Sequence, residues 1–168
     1  MSDESAVIAL GIDPGQTGAA AIVDGEDVLW WCRWRPRRAK GYLYDTRDTQ
    51  RAPVETMHLI GREIASAAYL LDVTRGACEG QAVAGRVGVQ SVLTLARSAG
   101  IVAGPSTAVV PDWTWPTSRE WRRHYGTSTW RAGEAKGSAV QWVADHYRID
   151  ATPDLAEAVQ IAHYRRTR

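Results

Sequence analysis

Apolar and polar positions at the start of the chain fall in short blocks separated by turn residues. Residues 6–12 are crowded with Val, Ile and Leu, the pattern of a strand buried on both faces. Asp13 is the first charge after that run, where the strand would leave the core. Pro14 and Gly15 suit the centre of a turn, Pro by its fixed φ and Gly by tolerating positive φ. Residues 19–23 then return as the second strand of a hairpin. Residues 6–13, 17–24 and 28–34 thus predict three strands, with Asp24-Gly25 marking the second turn. Residues 35–51, rich in charge and poor in apolar side chains, predict an exposed loop.

The period changes after that stretch. Pro53 opens a predicted helix with Met57, Ile60, Ile64, Ala67, Ala68 and Leu71 on one face. Residues 73–83 contain a fourth strand that carries Glu79. Val89, Val92, Leu93 and Ala96 mark a second helix ending near Gly100, and residues 107–110 a short fifth strand. Thr117 and Glu120 have capping-box spacing, so a short helix runs from there to Tyr125. Residues 134–147 predict another helix, with Val140, Val143 and Ala144 facing inward. Thr152 as N-cap and Pro153 at the first helical position open the last one. The order βββαβαβααα predicts an α/β protein with a five-stranded mixed sheet and helices packed on it. No repeat, low-complexity segment or linker divides residues 1–168, which read as a single domain.

Composition narrows this little; charge placement narrows it more. At 45% hydrophobic and 23% charged residues, the chain can build a core without disulfides or structural metal. Net charge is only +1, yet Arg33, Arg35, Arg37, Arg38 and Lys40 cluster, as do Arg119, Arg122 and Arg123. Arginine suits bidentate phosphate contacts, although a GC-rich coding sequence also yields many arginines. Trp30, Trp31 and Trp34 run into the first cluster, and Trp113 and Trp115 flank Thr114 beside Pro111 and Pro116. Basic residues with interleaved aromatics bind phosphates and stack on unpaired bases. Trp30 and Trp31 point to opposite faces of their strand, so at least one of them faces the core. Trp121 and Trp142, on helices, read as packing residues. For Trp113 and Trp115 both packing and exposure stay open. Cys32 and Cys78 lack metal-ligand spacing and read as reduced, buried thiols. No signal-peptide pattern and no apolar run near the ~18 residues of a membrane span is present, so a cytoplasmic protein with no membrane partner is expected.

Four carboxylates stand out by position. Asp13 ends the first strand and Glu79 lies in the fourth, while Asp154 and Glu157 share a face of the last helix. At about 100° per residue, the apolar stripe Leu155, Ala158, Val159 and Ala162 lies beside Asp154, so both acids sit on its rim. His163 falls on the opposite side and is a poor candidate for the same site. Convergent carboxylates repel unless neutralised, and hard divalent cations prefer oxygen ligands. Such a site fits two-metal phosphodiester hydrolysis. Each acid also has a plainer reading. Asp154 complements a helix dipole, Glu157 is a solvated surface residue, and Asp13 starts a turn. Glu79, in the small apolar segment of residues 77–82, resists one because a charge there needs a partner. Spacing alone leaves these readings open.

Together these residues resemble a known family. Gly11-Ile-Asp13-Pro-Gly-Gln-Thr-Gly18 is similar to the first catalytic motif of RuvC-type Holliday junction resolvases. The likeness continues through Cys78-Glu79-Gly-Gln81, residues 93–103, residues 133–141 and the stretch from Asp154 to Ala162. The resemblance implies a ribonuclease H-like fold with helices on both faces of the sheet. It implies a homodimer that makes paired nicks across four-way or other branched DNA, in recombination and repair, without a nucleotide cofactor. Two Mg²⁺ or Mn²⁺ ions per active site would act, with Asp13 bridging them. Glu79 would complete one metal site, and Asp154 with Glu157 the other. Lys136 would stand near the scissile phosphate. Arg35, Arg37, Arg38, Lys40, Arg122 and Arg123 are the expected DNA contacts.

The pattern departs from the bacterial members, which commonly end in two Asp, or Asp and His, where this chain has Asp154 and Glu157. The Asp-x-x-Glu ending, with Pro116 and Trp121-Arg122 before it, looks more like phage-type members, in a bacterial cell or an infected host. Family members also often place an aromatic wedge after the fourth-strand Glu, where Gln81, Ala82 and Val83 stand here in a chain without Phe. Two other classes share part of this pattern. A phosphotransferase of the actin-like or sugar-kinase type shares the Asp13-x-Gly15-x-Thr17 hairpin but needs a second phosphate-binding motif that this chain does not carry. A non-catalytic protein that binds branched DNA would not need four intact carboxylates.

Overall fold

In the computed structural model, residues 7–36, 42–47, 52–54, 56–80 and 89–168 are described. The three apolar blocks become β1 (Ala9–Asp13), β2 (Gly18–Asp24) and β3 (Asp27–Pro36), an antiparallel meander. Gly25 turns β2 into β3 at a φ of 56°, a region glycine enters without a Cβ clash. Beyond β3 come β4 (Tyr42–Thr46) and β5 (Ala52–Val54), both antiparallel to their neighbours. On the other side of β1, β6 (Arg75–Cys78) and then β7 (Asp112–Thr114) run parallel to it. The order β5-β4-β3-β2-β1-β6-β7 is a mixed sheet.

The two faces of this sheet differ in bulk, and the difference places the site. With period-two alternation, Leu10, Ile12, Ile22, Cys32 and Trp34 point to one face. There they pack on α1 (Met57–Leu70) and α2 (Val89–Thr107) through Ile60, Ile64 and Val102. The other face presents Ala9, Ala19, Ala21 and Val23 to α4 (Ala132–Tyr147) and α5 (Pro153–Arg166). Small side chains let a helix lie close, and α5 uses that room against β1 and β2. Helices cover both faces, as expected. A short α3 (Ser118–His124) also packs on α5, and its capping box is formed. The Glu120 N–H donates to Thr117 Oγ1 at 3.3 Å, and the Thr117 N–H to Glu120 Oε2 at 2.7 Å.

Five expectations are corrected. The described sheet has seven strands, not five. Part of the stretch expected as a loop is β4: Tyr44 is buried, and Asp45 pairs with its cross-strand partner Arg33 at 2.8 Å. Charge density therefore did not mean exposure, because opposite charges on facing strands satisfy each other. Pro53 lies in the edge strand β5, where a missing N–H is tolerated, and α1 starts at Met57 with Thr56 as its N-cap. Gly100 does not end α2, which continues to Thr107. That helix lies so close to α1 that a Cβ on Gly61 would sit 2.7 Å from the Ile101 carbonyl oxygen. Tertiary packing outweighs the local cost of Gly100, and the seventh strand falls at Asp112–Thr114 rather than at residues 107–110. Among the described residues no helix is long and apolar enough to cross a membrane.

Candidate active site

Parallel neighbours β1 and β6 bring their carboxyl ends to the same sheet edge. Asp13 is the last residue of β1. Glu79 is the first residue past β6 rather than inside it, and its N–H donates to the Ile12 carbonyl at 3.0 Å. That bond prolongs the ladder by one step and seats Glu79 beside Asp13.

The other two acids arrive on α5, and Gly11 is the reason they reach. A Cβ at Gly11 would come within 2.2 Å of the Ala158 carbonyl oxygen and 2.3 Å of the Ala162 amide nitrogen. Asp154 and Glu157, almost one turn apart, are thereby set against the end of β1. One carboxylate oxygen each from Asp13, Asp154 and Glu157 lies within 4.8 Å of the others. Glu157 is only 4% exposed, so it is no solvated surface residue. The whole of α5 from Leu155 to Ala162 is buried, because α4 and α3 enclose it on the sides away from the sheet.

Cations from two other helices offset part of this charge. Lys136 of α4 donates to Asp154 Oδ1 at 2.8 Å and lies 3.4 Å from Glu157 Oε2. Arg122 of α3 pairs with the other Glu157 oxygen, Oε1. The compensation is incomplete at Asp13. Burial first, and then the charges of Glu157, Glu79 and Asp154, push its carboxyl well above the usual range, with Lys136 opposing. Burial likewise raises Glu79. Burial alone would lower Lys136, but its bond to Asp154 and the charges of Glu157, Asp154 and Asp13 hold it above its ordinary value. A cluster of oxygen donors, with excess negative charge and no sulfur or imidazole in the group, fits a hard divalent cation.

Among solved structures, a Thermus thermophilus RuvC matches 94% of this chain over 92% of its own, with a TM-score of 0.53 and 16% identity. A second T. thermophilus RuvC, in complex with a Holliday junction substrate, gives the same coverage and identity with a TM-score of 0.54. This chain has the RuvC fold. At that identity the likeness is one of architecture; no family model matches the chain, and no curated protein matches its sequence.

Within the RuvC fold of this chain the remaining sequence candidates separate. Arg35 and Arg123 are exposed, whereas Arg122 turns inward to Glu157. Arg37, Arg38 and Lys40, and the segment with Gln81, Ala82 and Val83, lie outside the described residues. A cleft of about 220 Å³ lined by Thr17, Arg33, Arg35, Thr152 and Asp154 opens from the acids toward β3 and β4. Trp113 is half-buried and Trp115 exposed, their rings edge-to-face. Trp30 and Trp31 pack on opposite faces of the sheet, each half-buried. Cys32 and Cys78 are buried free thiols, as expected.

Two tryptophans do more for the site than the sequence disclosed. Trp34 is buried, and its Nε1–H donates to the Gly15 carbonyl at 3.0 Å, pinning the turn that follows Asp13. Its ring also fills the space that a Cβ on Gly18 would need. The two-residue step from Cys32 along β3 already put Trp34 on the inward face. Gly15 keeps a negative-φ backbone; glycine is required there because a Cβ would meet the Thr17 carbonyl oxygen at 2.6 Å. Trp121 packs as expected, but its Nε1–H also donates to Glu79 Oε2 at 2.9 Å. No local pattern could have paired residues 42 positions apart.

His163 stands apart from the acids, with Nδ1 2.9 Å from the Tyr147 hydroxyl. Burial, helped by Arg166, His124 and His146, pushes it down to about 4. Between that value and the ordinary 6.5, the unfolded chain binds a proton that the folded one refuses, so stability falls as pH drops through this window. Half-burial limits the effect. His163→Gln should remove about 1–2 kcal/mol of the stability difference between pH 7 and 4.5, read from chemical melts at the two pH values.

Proposed function

We propose that this chain is a metal-dependent endonuclease that nicks branched DNA, with four-way junctions as its main substrate. The observation that carries the reading is the oxygen-only cluster of Asp13, Asp154 and Glu157 with Lys136 at its rim, on a fold shared with a RuvC solved on a Holliday junction. Asp13, Glu79, Asp154 and Glu157 would hold two Mg²⁺ or Mn²⁺ ions. When bound, divalent cations supply an activated water and stabilise the leaving oxygen in phosphodiester hydrolysis.

The chain's own residues do the rest. The half-exposed ammonium of Lys136, held charged by its acidic neighbours, meets a non-bridging oxygen of the phosphate being cut. The cleft beside Asp154 admits the strand, and Arg35 and Arg123 bind its flanking phosphates, with Arg37, Arg38 and Lys40 extending that contact. A homodimer would present two such sites and nick opposed strands of one junction. This work belongs to DNA recombination and repair, in the cytoplasm of a bacterial cell or a phage-infected host.

The test is cleavage of end-labelled four-way, three-way, flap and linear substrates with Mg²⁺, with Mn²⁺ and with chelator. Paired nicks on the four-way junction with either ion, none with chelator, and at least about tenfold slower cutting of linear duplex are expected. Absence of cleavage on every branched substrate with both ions overturns the proposal.

A further inference from the structure

Helix α3 delivers two consecutive residues to the acids, and they act in opposite senses. Trp121 is 1% exposed, wedged among Ala77, Ile161 and Tyr125, so its ring cannot turn. Its single N–H donor is spent on Glu79 Oε2. That bond aims a half-buried carboxylate and leaves the other oxygen, Oε1, for a ligand. Arg122 stacks over the Trp121 ring, 5.0 Å from its centroid, and reaches Glu157 Oε1. Lys136 faces Glu157 Oε2, so both oxygens of this acid are already met by cationic side chains. The Arg122 Nε is buried without a hydrogen-bond partner, so this guanidinium is held in place with its donors only partly satisfied.

We infer that α3 sets the affinity of the site for divalent cations, Trp121 raising it by orienting Glu79 and Arg122 lowering it by occupying Glu157 as a built-in counter-ion. The inference rests on the metal-site reading above. A carboxylate fixed by an outer donor binds a cation without first losing rotamer freedom. A fixed positive charge at Glu157 must be displaced or tolerated by an entering ion, which weakens binding. In the ion-free protein the same charge keeps the acids from driving α5 away from the sheet. The capping box at Thr117 and Glu120 anchors the helix that carries both residues.

The experiment measures Mn²⁺ binding to metal-stripped protein by calorimetry, and the rise in melting temperature that Mn²⁺ produces, for the wild type, W121F and R122Q. W121F keeps an aromatic ring and loses the donor; its Mn²⁺ dissociation constant should rise about tenfold or more, and its thermal shift should shrink. R122Q should melt lower without metal yet bind Mn²⁺ about threefold tighter, with a larger shift. A purely structural role would lower both melting points and leave both dissociation constants alone. R122M, which removes the charge and keeps the aliphatic stem, stands in if R122Q does not fold and should bind tighter in the same way, while R122K, which keeps the charge, should bind as the wild type does. Wild-type affinity in W121F, or unchanged or weaker binding in R122Q, overturns the inference; if W121F does not fold, the Arg122 arm alone decides. A wild type that binds no Mn²⁺ overturns the metal-site reading as well, which separates the two failures.

Discussion

Asp13→Asn is expected to slow junction cleavage by about 10³-fold or more while leaving junction affinity within about twofold, because it removes several kcal/mol of metal-assisted stabilisation and no DNA contact. Asn has the same shape, so the turn pinned by Trp34 and the ladder with Ala19 remain in place. What changes is charge. Burial, and then three neighbouring acids, push the Asp13 carboxyl up. Its removal should therefore raise the melting temperature of the metal-free protein even as it abolishes activity. Such a trade between stability and activity is the usual mark of a strained functional site. The pair of measurements is a strand-cleavage assay with a gel-shift titration in chelator, beside a thermal melt. A variant that still cuts removes Asp13 from the site. One that loses junction binding in parallel makes its role structural.

Gly11→Ala is expected to be the most damaging glycine-to-alanine change among the described residues. The added carbon would fall on the α5 backbone at Ala158 and Ala162, where no side chain can rotate away. Overpacking of this kind costs about 3 kcal/mol. At ~2–4 °C per kcal/mol for a domain of this size, the melting temperature should drop by about 6–12 °C. The helix can relieve the clash only by lifting from the sheet, and it carries Asp154 and Glu157 with it. Cleavage at a temperature where the variant is folded should then fall about 10²-fold, since misplacements near 1 Å cost that much. Gly100→Ala is the control. Its added carbon meets open space on α2, so the change should be neutral or stabilising by up to about 1 kcal/mol.

Several features were legible because a local rule governs them. The β1–β2 hairpin follows from period-two alternation around a Pro-Gly turn, the α3 cap from Thr117 and Glu120, and the start of α5 from Thr152 and Pro153. Position also put Asp13 at a strand end and Asp154 with Glu157 on one helix face, while the family resemblance rather than spacing made them a site. Other features resisted reading because the deciding partner is far along the chain. Asp45 became a strand residue through Arg33, and Gly100 stayed helical because α2 is held against α1. Arg122 and Trp121, which looked like a DNA contact and a packing residue, turned to the acids once α3 was docked on α5.

By itself, then, the sequence determined which carboxylates end strands or share a helix face, and which sheet face is small. The alternate positions Ala9, Gly11, Ala19 and Ala21 write the room for a close helix directly into the chain. Only the tertiary structure decided that α5 fills that room. Its descent onto Gly11 turns Glu157 from a surface acid into a buried one and closes a cluster in which Asp13 and Glu157, 144 positions apart (157 − 13), share one site. The physical reason is range. Dihedral preference and periodicity act over a few residues, while close approach and charge compensation act between whatever the fold brings together.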